Sequence, residues 1–165
     1  MIQRFNVRNQ KKYPELLDFI KNNNDSDFYL THNNARIYVK DFDSLKKLLK
    51  TSQDVYELKE NGDYSAFCLV WKSCGGEKTR YYLKLLSKNV NAASDLLRGF
   101  LWNVHLELFI KISKNHPLLN VFRKYGFKFI GGRGHQILLK RDKVVKAKKR
   151  TLIEIKEKEN VNNTQ

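Results

Sequence analysis

The sequence predicts a single α/β domain of the α+β kind, with a mixed, mostly antiparallel sheet and helices on both faces. Three observations carry this. The 165 residues suit one domain, at roughly 100–200 residues per domain. Between Asp54 and Ser87, three period-two or continuously apolar segments alternate with turn residues, the pattern of an antiparallel meander. Beyond Ser87, helical and strand patterns alternate, which implies crossover connections.

The elements follow in order. IQRFNV alternates as a short strand, and YPELLDFIKNN is a helix with Leu16, Leu17, Phe19 and Ile20 behind Pro14, a residue suited to a first helical turn. DFYLTH and RIYVK flank a hairpin-like pair, Asn33 and Asn34. DFDSLKKLLKTS is a helix bearing Leu45, Leu48 and Leu49, with Asp43 or Ser44 as its cap. The meander is VYELKE, a turn at Asn61-Gly62-Asp63, YSAFCLVWKS, a turn at Gly75-Gly76, and TRYYLKLLS. NAASDLLRGFLWNV places Leu96, Leu97, Phe100, Leu101 and Val104 on one helical face. LELFIKIS is a strand, HPLLNVFRKYGF a helix ending at Gly126, and FKFIGGRGHQILLKRD a closing hairpin.

Composition narrows the partners. The 32 Lys and Arg against 17 Asp and Glu give a net charge of +15, which favours polyanions. No apolar run reaches the ~20 residues of a membrane span, and the start has no secretory pattern, so a cytoplasmic protein without membrane contact is expected. Cys68 and Cys74 read as reduced thiols. The scattered His32, His105, His116 and His135 form no ligand-spaced pair, so no metal is expected. Strand and helix spacing assigns Tyr81, Tyr82, Trp71 and Trp102 mainly to the core.

The segment NHPLLNVFRKYGFKFIGGRGHQILLKR resembles the end of the GNAT superfamily of N-acetyltransferases. Its usual pattern is an Asn, a helix holding a Tyr, then Glu-Lys-Leu-Gly-Phe and a final hairpin. Asn115 falls on the Asn that begins the helix, and Lys124, Gly126 and Phe127 fall on Lys-x-Gly-Phe. The likeness spans Ile2 to Arg141 as topology and the last third as residue identity. It implies a domain over residues 1–141 and a separate tail over 142–165.

The resemblance also implies a site. Two adjacent parallel strands splay, acetyl-CoA fills the gap, and its pyrophosphate rests on backbone N–H groups at the next helix N-terminus. The cofactor-binding residues carried over are Leu85, Leu86, Lys88, Asn89, Val90, Asn91, Ala92, Ala93, Asn115 and Phe122. The family's loop, Gln/Arg-x-x-Gly-x-Gly/Ala, is here the glycine-free SKNVNAASDLL. Asn tolerates left-handed backbone, Ala is small, and Lys88 suits phosphate. An ordinary strand-to-helix connection capped by Ser94 is the other reading of that loop.

For proton transfer, the family's Tyr position holds Phe122, which has no proton to give. Tyr125, Glu107 and His116 are the candidates left. Glu107 also reads as a solvated strand-end carboxylate, and His116 as part of the start of the helix after Asn115.

Beyond Leu139 the basic residues Lys140, Arg141, Lys143, Lys146, Lys148, Lys149 and Arg150 crowd together, a surface for nucleic acid or an acidic protein. The expected function is acetyl transfer from acetyl-CoA to an amine acceptor, nucleic-acid-associated on charge grounds. The alternative is a GNAT-like scaffold without catalysis, binding nucleic acid or a partner through its tail.

Overall fold

The computed structural model describes residues 1–23, 28–32, 35–73 and 78–144. Its strands are β1 (Ile2–Arg4), β2 (Leu30–His32), β3 (Ala35–Ile37), β4 (Ser52–Glu60), β5 (Asp63–Ser73), β6 (Arg80–Ser87), β7 (Leu108–Ser113), β8 (Lys128–Arg133) and β9 (Gln136–Arg141). Its α-helices are α1 (Tyr13–Asn22), α2 (Phe42–Thr51), α3 (Val90–Asn103) and α4 (Leu119–Lys124). A seven-stranded sheet runs in the order β1-β4-β5-β6-β7-β9-β8, with β2 and β3 forming a separate antiparallel ribbon. Within the sheet only β6 and β7 pair in parallel. The mixed, mostly antiparallel sheet expected from the sequence is therefore present.

Each face of the sheet carries its own core. Leu96, Leu97 and Phe100 of α3 and Phe122 of α4 pack with Leu83, Leu85, Ile110 and Leu139 on one side. Leu16, Phe19 and Ile20 of α1 and Leu45, Leu48 and Leu49 of α2 pack with Val55, Phe67 and Leu69 on the other. Period two along β5 feeds both, because neighbouring side chains point to opposite faces: Cys68 joins the first cluster and Phe67 the second. Cys68 is a free thiol, fully buried, and burial raises its pKa far above the usual range, so it is inert. Cys74, the turn at Gly75-Gly76 and the Asn33-Asn34 pair lie outside the described residues.

Turn chemistry explains the registers. Asn61 (φ 52°) and Gly62 (φ 88°) join Glu60 to its partner Asp63, the left-handed pair a tight hairpin needs. Gly126 at φ 90° stops α4 as expected, and a Cβ on Gly132 would meet the Gln136 carbonyl oxygen at 2.6 Å, so the last hairpin requires glycine there.

Three helix starts differ from the sequence reading. Asp41, not Asp43 or Ser44, caps α2: its carboxylate accepts from the Ser44 N–H at 2.8 Å while the Ser44 hydroxyl accepts from the Asp41 N–H at 3.0 Å. Asn89 rather than Ser94 caps α3. α4 begins at Leu119 after Leu118, so Asn115 stands in a turn before it. At α2 the short polar candidates Asp41, Asp43 and Ser44 stand within three residues of one another, and composition does not rank them.

The α2 cap has a pH signature. The Ser44 backbone and side-chain hydrogen bonds hold the Asp41 carboxyl below its ordinary value of 3.8. A depressed carboxyl stabilises the fold above its unfolded-state pKa and loses that contribution as pH falls through the folded-state value. Amide exchange in α2 is expected to quicken in Asp41→Ala at neutral pH. The gap between variant and parent should close as the solution is taken below pH 3.8; a gap independent of pH would contradict the carboxylate's role.

Candidate active site

The site arises where β6 and β7 part. Their parallel pairing is confined to Tyr81 with Leu108 and Tyr82 with Phe109. Past those pairs β6 stays bonded to β5 as far as Ser87 and β7 to β9 as far as Ser113, so the strands diverge into a wedge. The sequence builds it from both sides, since Leu83, Leu85, Ile110 and Ile112 all point into the α3 and α4 core.

At the mouth of the wedge, β6 turns into α3. The Lys88 N–H donates to the Ser65 carbonyl at 2.9 Å, tying the loop to β5. The Asn89 side chain accepts from the Ala92 N–H at 2.8 Å, and its carbonyl accepts from Ala93 at 3.1 Å. The first-turn amides of Val90 and Asn91 have no acceptor within the helix and sit at the positive end of its dipole. A cleft of about 440 Å³ opens here, walled by Leu85 through Val90 on one side and His116 through Leu118 on the other. Its volume is that of a small-molecule site.

The inner end of the wedge is closed. Between Leu83, Leu85, Ile110, Ile112 and Phe122 only about 10 Å³ remains, with Phe28, Lys84 and His116 completing the wall. Phe122 is buried and stands edge-on to Phe127 at 5.9 Å. His116 is nearly buried and faces both spaces; its Nδ1 accepts from the Leu118 N–H at 3.1 Å, which leaves the proton of the neutral ring on Nε2. Its ring centroid lies 6.3 Å from that of Phe122.

No family model matches the sequence, and no curated protein matches it. Solved structures do. A ribosomal-protein-alanine N-acetyltransferase from Brucella melitensis superposes with a TM-score of 0.66 at 14% identity, covering 86% of this chain and 99% of that one. The fold is that of the GNAT acetyltransferases. A GNAT-family acetyltransferase from Streptococcus pneumoniae matches at TM-score 0.63 and 14% identity, over 86% of this chain and 97% of that one. A Salmonella typhimurium protein assigned as an acetyltransferase and solved with its cofactor acetyl-CoA matches at TM-score 0.62 and 12% identity, over 90% and 95%.

Set on the GNAT fold, the residues singled out from sequence divide. Leu85, Leu86, Lys88, Asn89 and Val90 line the cleft. Asn91 is exposed in the first turn of α3, whereas Ala92 and Ala93 point away and are buried in the core. Asn115 is exposed in the turn after β7. Tyr125 lies on the other side of α4, its hydroxyl 2.8 Å from Ser94 Oγ. Glu107 precedes β7 at the end where the strands remain paired, and its carboxylate bridges to Lys140 at 3.2 Å. Of the three proton-transfer candidates, His116 is the one that reaches the cleft.

Two placements correct the sequence reading. Trp102, assigned to the core, is 83% exposed on α3, because it falls beside the buried stripe rather than in it. Arg141, assigned to a basic surface, is half-buried and donates from Nε to the Tyr125 carbonyl at 2.9 Å. Lys140 is held by Glu107 and Asp142, both at 3.2 Å, and these carboxylates raise its pKa. Lys143 is exposed, while Lys146, Lys148, Lys149 and Arg150 lie outside the described residues. Among the described residues, no helix is long and apolar enough to cross a membrane.

Sequence reasoning missed Lys84 and Tyr29. Lys84 is 8% exposed, lies on the wall of the closed wedge, and sets its ammonium 4.5 Å from the centre of the Tyr29 ring. A lysine inside the apolar run YYLKLL was the available signal, since strands buried on both faces rarely carry a charge without purpose.

Proposed function

We propose that this protein is an N-acetyltransferase that uses acetyl-CoA and an amine acceptor. The observation that carries the reading is the divergence of β6 and β7 directly beside the N-terminus of α3, with Lys88 at the lip. The residues fit the cofactor at this mouth. Two first-turn amides, the helix dipole and an exposed lysine suit a pyrophosphate, and the apolar Leu85, Leu86 and Pro117 suit a thin, uncharged arm. Bound there, acetyl-CoA supplies an acetyl group activated as a thioester.

The chain's own groups supply the rest. Leu85 and Leu86 lie on the part of β6 that β7 does not pair with, so strand-edge backbone groups are available to orient an acyl carbonyl. His116 holds a proton at Nε2 beside Phe122, and so takes the proton-donating part that the phenylalanine has no group to play.

The test is release of free thiol from acetyl-CoA in the presence of a panel of amines: a polyamine, a peptide N-terminus, a lysine peptide and an aminonucleoside. One class is expected to stimulate release. His116→Asn retains an acceptor for the Leu118 N–H without a titratable proton, and kcat is expected to fall about 100-fold with KM for acetyl-CoA little changed. Unaltered kcat in that variant would remove His116 from the chemistry. A protein that binds acetyl-CoA yet acetylates no amine class would contradict the enzymatic reading.

A further inference from the structure

A groove lies at the far end of α3 and shares no residue with the proposed acetyl-CoA cleft. Leu101 and Trp102 of α3, Tyr125 after α4 and Val144 beyond β9 give it an apolar lining around about 510 Å³, with Arg98, His105 and Arg141 set among them. Trp102 is 83% and Val144 46% exposed, although both are side chains that burial favours.

The chain itself carries a segment that fits this surface. Val144, the last described residue, lines the groove, so residues 145–165 continue the chain from the groove's own wall. Among them residues 151–160 read TLIEIKEKEN, with Leu152, Ile153 and Ile155 close-set between Lys, Glu and Asn. Charge points the same way. These ten residues hold three Glu against two Lys, a net negative stretch in a chain of net +15, whereas Arg98 and Arg141 make the groove cationic. The preceding residues 145–150 carry Lys146, Lys148, Lys149 and Arg150, which those same cations repel.

Reach decides between this segment and a second copy of the protein. Seven residues, 145–151, link Val144 to Leu152. Such a link spans about 23–25 Å fully extended and about 15 Å on average, enough for Leu152 to turn back onto the groove. A link this short holds its segment at a millimolar effective concentration, which a second copy does not reach in dilute solution.

We propose that residues 152–155 seat in this groove, with Leu152, Ile153 and Ile155 against Trp102, Tyr125 and Val144, and Glu154 facing Arg98. The seated segment ties α3 to the end of β9 and takes the Trp102 indole out of water. The proposal is independent of the acetyl-CoA reading, since it neither touches the cleft nor draws on its residues.

The test reads Trp102 in the full chain. Trp71, the other of the two tryptophans, is first replaced by Phe, which keeps a ring against Tyr82, so that the fluorescence comes from Trp102 alone. Acrylamide is expected to quench it at least about threefold more slowly than it quenches N-acetyltryptophanamide, as a covered indole requires. Adding Leu152→Asp with Ile155→Asp should raise the quenching to the free-indole rate, while Val161→Asp, beyond the segment, leaves it slow. Quenching at the free-indole rate before those substitutions, or equally slow quenching in all three proteins, would overturn the proposal. Protection that appears only as the protein is raised from about 2 to about 200 µM would also overturn it, by placing a second copy on the groove.

Discussion

Asn91→Asp is expected to weaken acetyl-CoA binding roughly 30-fold, about 2 kcal/mol, while leaving the fold intact. Asn91 is exposed in the first turn of α3, where the free amides and the dipole favour an anion and a carboxylate would compete with it. The neighbouring substitution gives the contrast. Ala92 is 1% exposed inside the core shared with Leu83 and Phe100, so Ala92→Asp buries a charge and is expected to prevent folding outright. Titration calorimetry on the first variant and circular dichroism on the second check the pair. Wild-type affinity in Asn91→Asp would displace the pyrophosphate from this helix end.

Lys12→Met is expected to destabilise the fold by about 3 kcal/mol, a drop of roughly 6–12 °C in melting midpoint for a chain of this size. Glu57 has no exposed surface, and its carboxylate is met by Lys12 at 3.0 Å and by the Gln3 side-chain amide. Met keeps the apolar stem of the lysine but strips the charge, leaving a carboxylate buried on the sheet with only neutral polar neighbours, the Gln3 amide and the Tyr64 hydroxyl. The double variant Lys12→Met with Glu57→Leu should recover most of the loss, because the cost lies in the stranded charge and not in a missing attraction. Urea unfolding of both variants checks this; a double variant as unstable as the single one would put the cost in packing.

What the sequence made legible follows from period. The β4 to β6 meander, the Asn61-Gly62 turn and the apolar stripe of α3 could be read because burial on one or both faces writes itself into residue spacing. The cleft lip, Leu85 through Val90, was legible only through the resemblance, since six residues running from the end of a strand to the start of a helix carry no period of their own. What escaped depends on tertiary position. Two pairs of parallel contact followed by divergence cannot be seen in either strand alone. Trp102 lies one position beyond the buried Leu101, and the helical pattern did not separate rim from core. The inward turn of Arg141 required the Tyr125 carbonyl to be brought beside the end of β9, a contact between residues 16 apart.

The central claim is that the mouth of the β6 and β7 wedge is an acetyl-CoA site, and calorimetric titration of the nucleic-acid-free full chain with acetyl-CoA and with desulfo-CoA at two salt concentrations tests it most directly. Micromolar binding of both that persists at the higher salt is the expected result, since amides and apolar walls hold the ligand as well as charge does. Absence of binding, or binding that vanishes with salt, would contradict it.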